Sequence, residues 1–137
     1  MILANITDGR KTFVLAHAVY CSALGRAILS YSEPAVIEAA LAGPLSPRTP
    51  RTLTSPVAIM RELTTVPERG WATEREEGNI GVSCVAAPIF SPLGDVVAAL
   101  SVTGPSQLVR ADRIGPAVRM AAAAASRAYS RPRLQSR

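Results

Sequence analysis

Two short apolar runs separated by a cluster of turn residues place the tightest limit on how this chain can fold. Val82 to Phe90 reads VSCVAAPIF and Val96 to Thr103 reads VVAALSVT, both rich in small and branched apolar side chains and both short for a helix. Ser91, Pro92, Leu93 and Gly94 lie between them and suit a tight connection. The pattern predicts an antiparallel hairpin. A loop over Ser91 to Gly94 sets Phe90 opposite Asp95, and counting back sets Cys84 opposite Ser101 and Val82 opposite Thr103. Alternation then puts Val97, Ala99, Ser101 and Thr103 on one face and the apolar Val96, Ala98, Leu100 and Val102 on the other. One face therefore carries a thiol and hydroxyls among small side chains, which is what the floor of a small-ligand pocket requires. The competing reading is that Ser and Thr are merely tolerated in the strands and that Cys84 packs as a small hydrophobe. A slip of one residue through a bulge would break the pairing of Cys84 with Ser101.

Around the hairpin the chain reads as helices. Cys21, Leu24, Gly25, Ile28 and Leu29 recur at helical spacing. Ser32 is expected to cap a second helix with Pro34 in its first turn, an apolar stripe of Val36, Ile37, Ala40 and Leu41, and a stop at Gly43 and Pro44. After the proline-rich GPLSPRTPRTLTSP loop, Ser55 and Pro56 open a third helix carrying Ile59, Leu63 and Val66, with Pro67 expected to end or bend it before Gly70. WATEREE reads as an edge strand, and a last helix runs from Ala111 to Tyr129, with Ala121 to Ala125 suited to close packing. KTFVLAHAV near the start reads as a strand. The fold class is α+β: an antiparallel sheet with helices packed on it.

The length of 137 residues fits one domain, expected over residues 1–129 with 1–19 atypical, followed by a disordered basic tail over 130–137. No apolar run approaches the length of a membrane-spanning helix and no export signal is legible, so no membrane partner and a cytoplasmic location are expected. Cys21 and Cys84 are read as free thiols. The net charge of +5 is scattered and aromatic content is 4%, which argues for a solvated basic surface rather than a nucleic-acid face. No cofactor is expected: one His and two Cys cannot assemble a metal site, and no glycine-rich phosphate loop is present.

CSALGRAIL, LAGPLSPRTPRTLTSP, RGWATEREEGNIGVSCVAAPIF and GDVVAALSVTGP, in that order and spacing, resemble the effector-binding domain of the IclR family of bacterial transcription regulators, a GAF-like fold, over the stretch from Cys21 to about Ser126. The resemblance implies a site for a small organic acid lined by Glu74, Cys84, Ser101 and Thr103, under a wall formed by the helix that includes Ala23, Leu24 and Gly25. Glu76 and Glu77 are then expected to face solvent or to cap local backbone. It implies a homo-oligomer as well. The family's winged helix-turn-helix and linker helix have no counterpart in this sequence, so DNA would be engaged only through a domain the chain lacks. The family's leading helix and strands are missing or reduced to residues 1–19. Ala18 stands where the family has Pro, Glu74 where it commonly has Asp, and Thr103 where Ser is common.

The alternatives are a non-catalytic dimerisation module, or regulator fragment, without ligand and, least favoured, an enzyme with Cys84 as nucleophile. The latter needs a base, and the single histidine, His17, has no carboxylate or amide visibly placed to orient it.

Overall fold

The computed structural model describes residues 19–131. The strand expected around Phe13 to Leu15, His17 and the far end of the basic tail lie outside the described residues. The order of elements is α1 (Ala23–Leu29), α2 (Pro34–Leu41), α3 (Pro56–Arg69), β1 (Ala72–Arg75), β2 (Val82–Phe90), β3 (Val96–Pro105) and α4 (Ala111–Tyr129).

Local chemistry accounts for most of the boundaries. Ser22 caps α1 by accepting the Gly25 N–H at 3.0 Å. Ser55 does the same for α3 with Pro56 in the first turn, and Gly70 ends that helix in the left-handed region at φ 88° while donating to the Val66 carbonyl. Two expectations are corrected here. Ser32 does not cap α2. Its hydroxyl donates to the Ile28 carbonyl at the end of α1, and Glu33 stands at the N-cap with no side-chain bond, the fixed φ of Pro34 being enough to start the turn. Pro67 does not end α3 at its own position either, although the helix does stop at Arg69, before Gly70. It falls in the last turn, so its missing N–H removes a single bond while Leu63 and Val66 hold the helix to the core.

The strands form one antiparallel sheet in the order β1-β2-β3. The Asp95 carbonyl accepts the Ser91 N–H and Gly94 turns at φ 87°, closing the hairpin. A bulge between Ile89 and Phe90 then displaces the register. Phe90 faces Val96 rather than Asp95, Ile89 faces Ala98, and Cys84 faces Thr103 rather than Ser101. From Ile89 inward the displacement is two residues, an even number, so every side chain keeps the face that alternation assigned to it.

Each face has its own cover. On one, Ala23 and Ala27 of α1 and Val66 of α3 pack on Ala72, Cys84 and Ala86. On the other, Val118 and Ala122 of α4 pack on Val85 and Ala87. Gly115 lies under the Trp71 indole, where a Cβ would overlap the ring. Of the run Ala121 to Ala125 only Ala122 is buried, so close packing uses one alanine rather than the whole run. A third cluster, Tyr20, Cys21, Leu29, Leu41, Ile59 and Leu63, joins the first three helices. The apolar face expected along β3 is incompletely covered: Leu100 and Val102 are exposed. Among the described residues no helix is long and apolar enough to cross a membrane.

Candidate functional site

Glu74, Cys84 and Thr103 lie directly opposite one another across the three strands, and Ala72, Ala86 and Ser101 form the next row on the same face. The alanines leave space, and the polar groups run from closed to open. Glu74 is 7% exposed, Cys84 8%, Ser101 half-buried and Thr103 exposed at the sheet edge. Thr103 Oγ1 donates to Cys84 Sγ at 3.1 Å. Burial pushes the Cys84 thiol up, only partly offset by the Thr103 and Ser101 hydroxyls. The sulfur is a neutral thiol, the opposite of what a nucleophile needs.

Glu74 holds the closed end. Its Oε1 accepts the N–H groups of Glu77 at 2.5 Å and Gly78 at 3.2 Å. Oε2 makes no hydrogen bond among the described residues, and since no fully buried side-chain polar atom there lacks a partner, Oε2 keeps an open side. Burial, the largest influence, raises the pKa of this carboxyl above its ordinary value; the Glu77 and Gly78 amides and the Arg26 charge pull it down, and the Glu77 charge pushes it up.

The three residues of α1 expected to form the wall stand in distinct surroundings. Ala23 is fully buried against the Cys84 and Ala86 side of the sheet and Leu24 packs at its margin. Gly25 is turned toward Val19, whose main chain approaches so closely that a Cβ would collide with it. It closes the core rather than facing the row.

One expectation about the acidic run is overturned. Glu77 neither faces solvent nor caps local backbone: it is buried, and its carboxylate takes two N–H donors from Arg26 of α1 at 2.6 Å each. It also accepts the Leu53 N–H. Arg26 is 2% exposed and further donates to the carbonyls of Tyr20 and Thr73. The Glu77 carbonyl receives the Thr52 hydroxyl, and the Glu76 carbonyl that of Thr49. Helix α1, the proline-rich loop and the turn whose amides hold the Glu74 carboxylate are thus one hydrogen-bonded unit. A lone arginine inside the otherwise apolar ALGRAIL was the available sign that a buried carboxylate had to exist. Glu76 behaves as expected, accepting the Gly81 N–H, and it pairs with Arg51 at the surface.

The family profile described as bacterial transcriptional regulator IclR C-terminal matches residues 15–131. The chain is 37% identical over 90 residues to the HTH-type transcriptional regulator BhcR of Paracoccus denitrificans, covering 65% of this chain and 32% of that protein. It is 32% identical over 96 residues to the transcriptional repressor AllR of Escherichia coli K12, covering 69% of this chain and 35% of that one. Among solved structures, an IclR transcriptional regulator from Silicibacter superposes with a TM-score of 0.75 at 33% identity, over 92% of this chain and 50% of the other. The IclR protein of Thermotoga maritima gives 0.75 at 28% identity, over 91% of this chain and 55% of the other. The chain thus spans about a third of the length of these curated relatives and about half of the solved chains. Those relatives are regulators and repressors, which leaves no support for an enzyme with Cys84 as nucleophile. The α+β architecture, the order of the motifs and the relatives agree: this chain belongs to the family of C-terminal domains of IclR-type bacterial transcriptional regulators.

Proposed function

We propose that this domain senses a small organic acid, bound along the row of Glu74, Cys84 and Thr103 with Ser101 beside it and Ala23 and Leu24 at the wall, within a cytoplasmic regulator. The observation that carries the reading is the alignment of those three polar side chains across three strands, flanked by alanines and open at Thr103. The Ser101 hydroxyl donates to a carboxylate or carbonyl oxygen, the Thr103 hydroxyl does so by exchanging its bond to Cys84 Sγ for the ligand, and the small side chains admit the carbon skeleton. The fold can hold such a guest elsewhere: the inducer-binding domain of the Acinetobacter factor PobR, 21% identical with a TM-score of 0.72, was crystallised as a double mutant in complex with 3-hydroxybenzoic acid. That likeness speaks for the fold alone. Binding would act by favouring one conformation or assembly of the regulator over another.

Calorimetry against a panel of keto acids and aromatic acids tests the site. Ser101→Ala combined with Thr103→Val keeps the shape and removes both hydroxyls, and is expected to cost about 1–3 kcal/mol for each ligand group left unpaired. Cys84→Ser is expected to be milder. Unchanged affinity in the double variant would remove these hydroxyls from the binding site. The same titrations give the pH dependence. Burial already favours the protonated Glu74, and an arriving anion favours it further, so binding takes up a proton and affinity falls as pH rises above the ordinary carboxylate range. Glu74→Gln should flatten that profile.

The assembly is proposed to be a homo-oligomer. The exposed Leu100 and Val102 on β3, an edge strand of the described sheet, support it. Sedimentation is expected to show a concentration-dependent dimer or larger species, and a clean monomer at high micromolar concentration would refute it.

A further inference from the structure

Thr73 and Arg75 alternate with Glu74 on β1, and Ser83 and Val85 with Cys84 on β2, so they point to the opposite face of the sheet. There, with the segment from Ser106 to Asp112, they enclose a cleft of about 510 Å³. That volume falls within the range of about 300–1,000 Å³ typical of small-molecule sites. Glu74 and Cys84 of the polar row also border this cleft, although alternation points their side chains to the other face of the sheet.

The charges in this cleft do not balance. The Arg75 side chain is exposed and makes no hydrogen bond or ion pair among the described residues. Arg110, at the N-cap of α4, adds a cation where the helix dipole is already positive, the reverse of the favoured arrangement. Its ionic partner is Asp112 at 3.3 Å, itself exposed. The Glu74 carboxylate is not counted among these charges, because its side chain points to the opposite face of the sheet from Arg75. Two guanidiniums therefore share one carboxylate. The wall adds a donor: Ser83, 4% exposed, lies with its Oγ 2.8 Å from the Ser106 Oγ. The pair carries two hydroxyl hydrogens and their contact uses one, so one O–H is left to give.

We infer that this cleft is a second binding site, for a small organic molecule bearing an oxyanion head group, carboxylate or phosphate. Arg75 and Arg110 supply the charge and the Ser83–Ser106 pair a neutral donor, back to back with the effector row across β1 and β2. Guanidinium groups suit both head groups because each offers oxygens in a plane that the N–H fork can match.

The test is nuclear magnetic resonance of the isotope-labelled chain titrated with citrate and with glycerol phosphate, against sodium chloride of equal ionic strength. At least one of the two anions is expected to give saturable amide shifts centred on Arg75 and on the segment from Ser106 to Asp112, and the stronger one identifies the head group. Arg75→Gln and Arg110→Gln each remove an exposed charge without disturbing the core, and each should weaken that binding about tenfold or more. Arg61→Gln, an exposed arginine of α3 outside the cleft, should leave it unchanged. No saturable shift with either anion at millimolar concentration, or an equal loss in the Arg61 variant, would overturn the assignment, the second by showing diffuse attraction to a basic surface.

Discussion

Replacing Arg26 by Ala is expected to destabilise the domain by about 3–5 kcal/mol, the range for breaking a buried ion pair from one side. The size reflects the groups left behind. Glu77 would remain buried with the Leu53 N–H as its one surviving side-chain partner among the described residues, and the Tyr20 and Thr73 carbonyls would lose the guanidinium donors they share. Set against the roughly 5–15 kcal/mol that holds a typical domain together, a loss of that size can prevent folding altogether. Arg26→Lys therefore serves as the graded variant: it keeps the charge but cannot present two parallel N–H groups to one carboxylate, and should fall between parent and Ala. Chemical denaturation measures both. A midpoint for Arg26→Ala equal to that of the parent would mean the pair contributes nothing. Because Glu77 also donates its N–H to Glu74, Arg26→Lys should disturb effector binding as well, although Arg26 makes no hydrogen bond to the polar row among the described residues.

Gly25→Ala should give the second large loss, by a different route. A methyl group at that position meets the main chain of Val19, including its carbonyl oxygen, and a backbone cannot rotate out of the way as a side chain does. Alanine is worth up to about 1 kcal/mol more than glycine inside a helix. The overlap is expected to outweigh this, leaving a net destabilisation of about 1–3 kcal/mol by displacing α1 or the segment ahead of it. Thermal unfolding decides the sign: a stabilised Gly25→Ala would show that the approach of Val19 to α1 yields at little cost. Since Ala23 and Leu24 lie on the same short helix, the displacement should also lower effector affinity, whereas it should leave the cleft on the α4 side unaltered.

How much of the fold and the site is legible in the chain depends on whether the governing chemistry is local. Caps are local, so Ser55 with Pro56 and the full extent of α4 can be read directly. Where two local solutions compete, as between Ser32 and Pro34, sequence favours the one the structure does not use. The shared face of Cys84, Ser101 and Thr103 is legible because side-chain direction in a strand depends only on parity, and the bulge moves the register by an even step. Which of them stand opposite each other is not, because the bulge at Ile89 and Phe90 answers to packing on both sides of the sheet. Glu77 shows the limit most clearly. Its neighbours Arg75 and Glu76 are both charged, and nothing nearby distinguishes it from a solvated carboxylate. Its partner Arg26 lies 51 residues away on a helix that lands against β1 only when the core closes. Local patterning was enough to set the kind of elements, their order and the side of the sheet that carries the polar row. Closure of the core chose which charges are buried together, how Glu74 is held at the closed end of that row, and where the opposite face leaves a cleft, because each of these depends on groups brought together from distant parts of the chain.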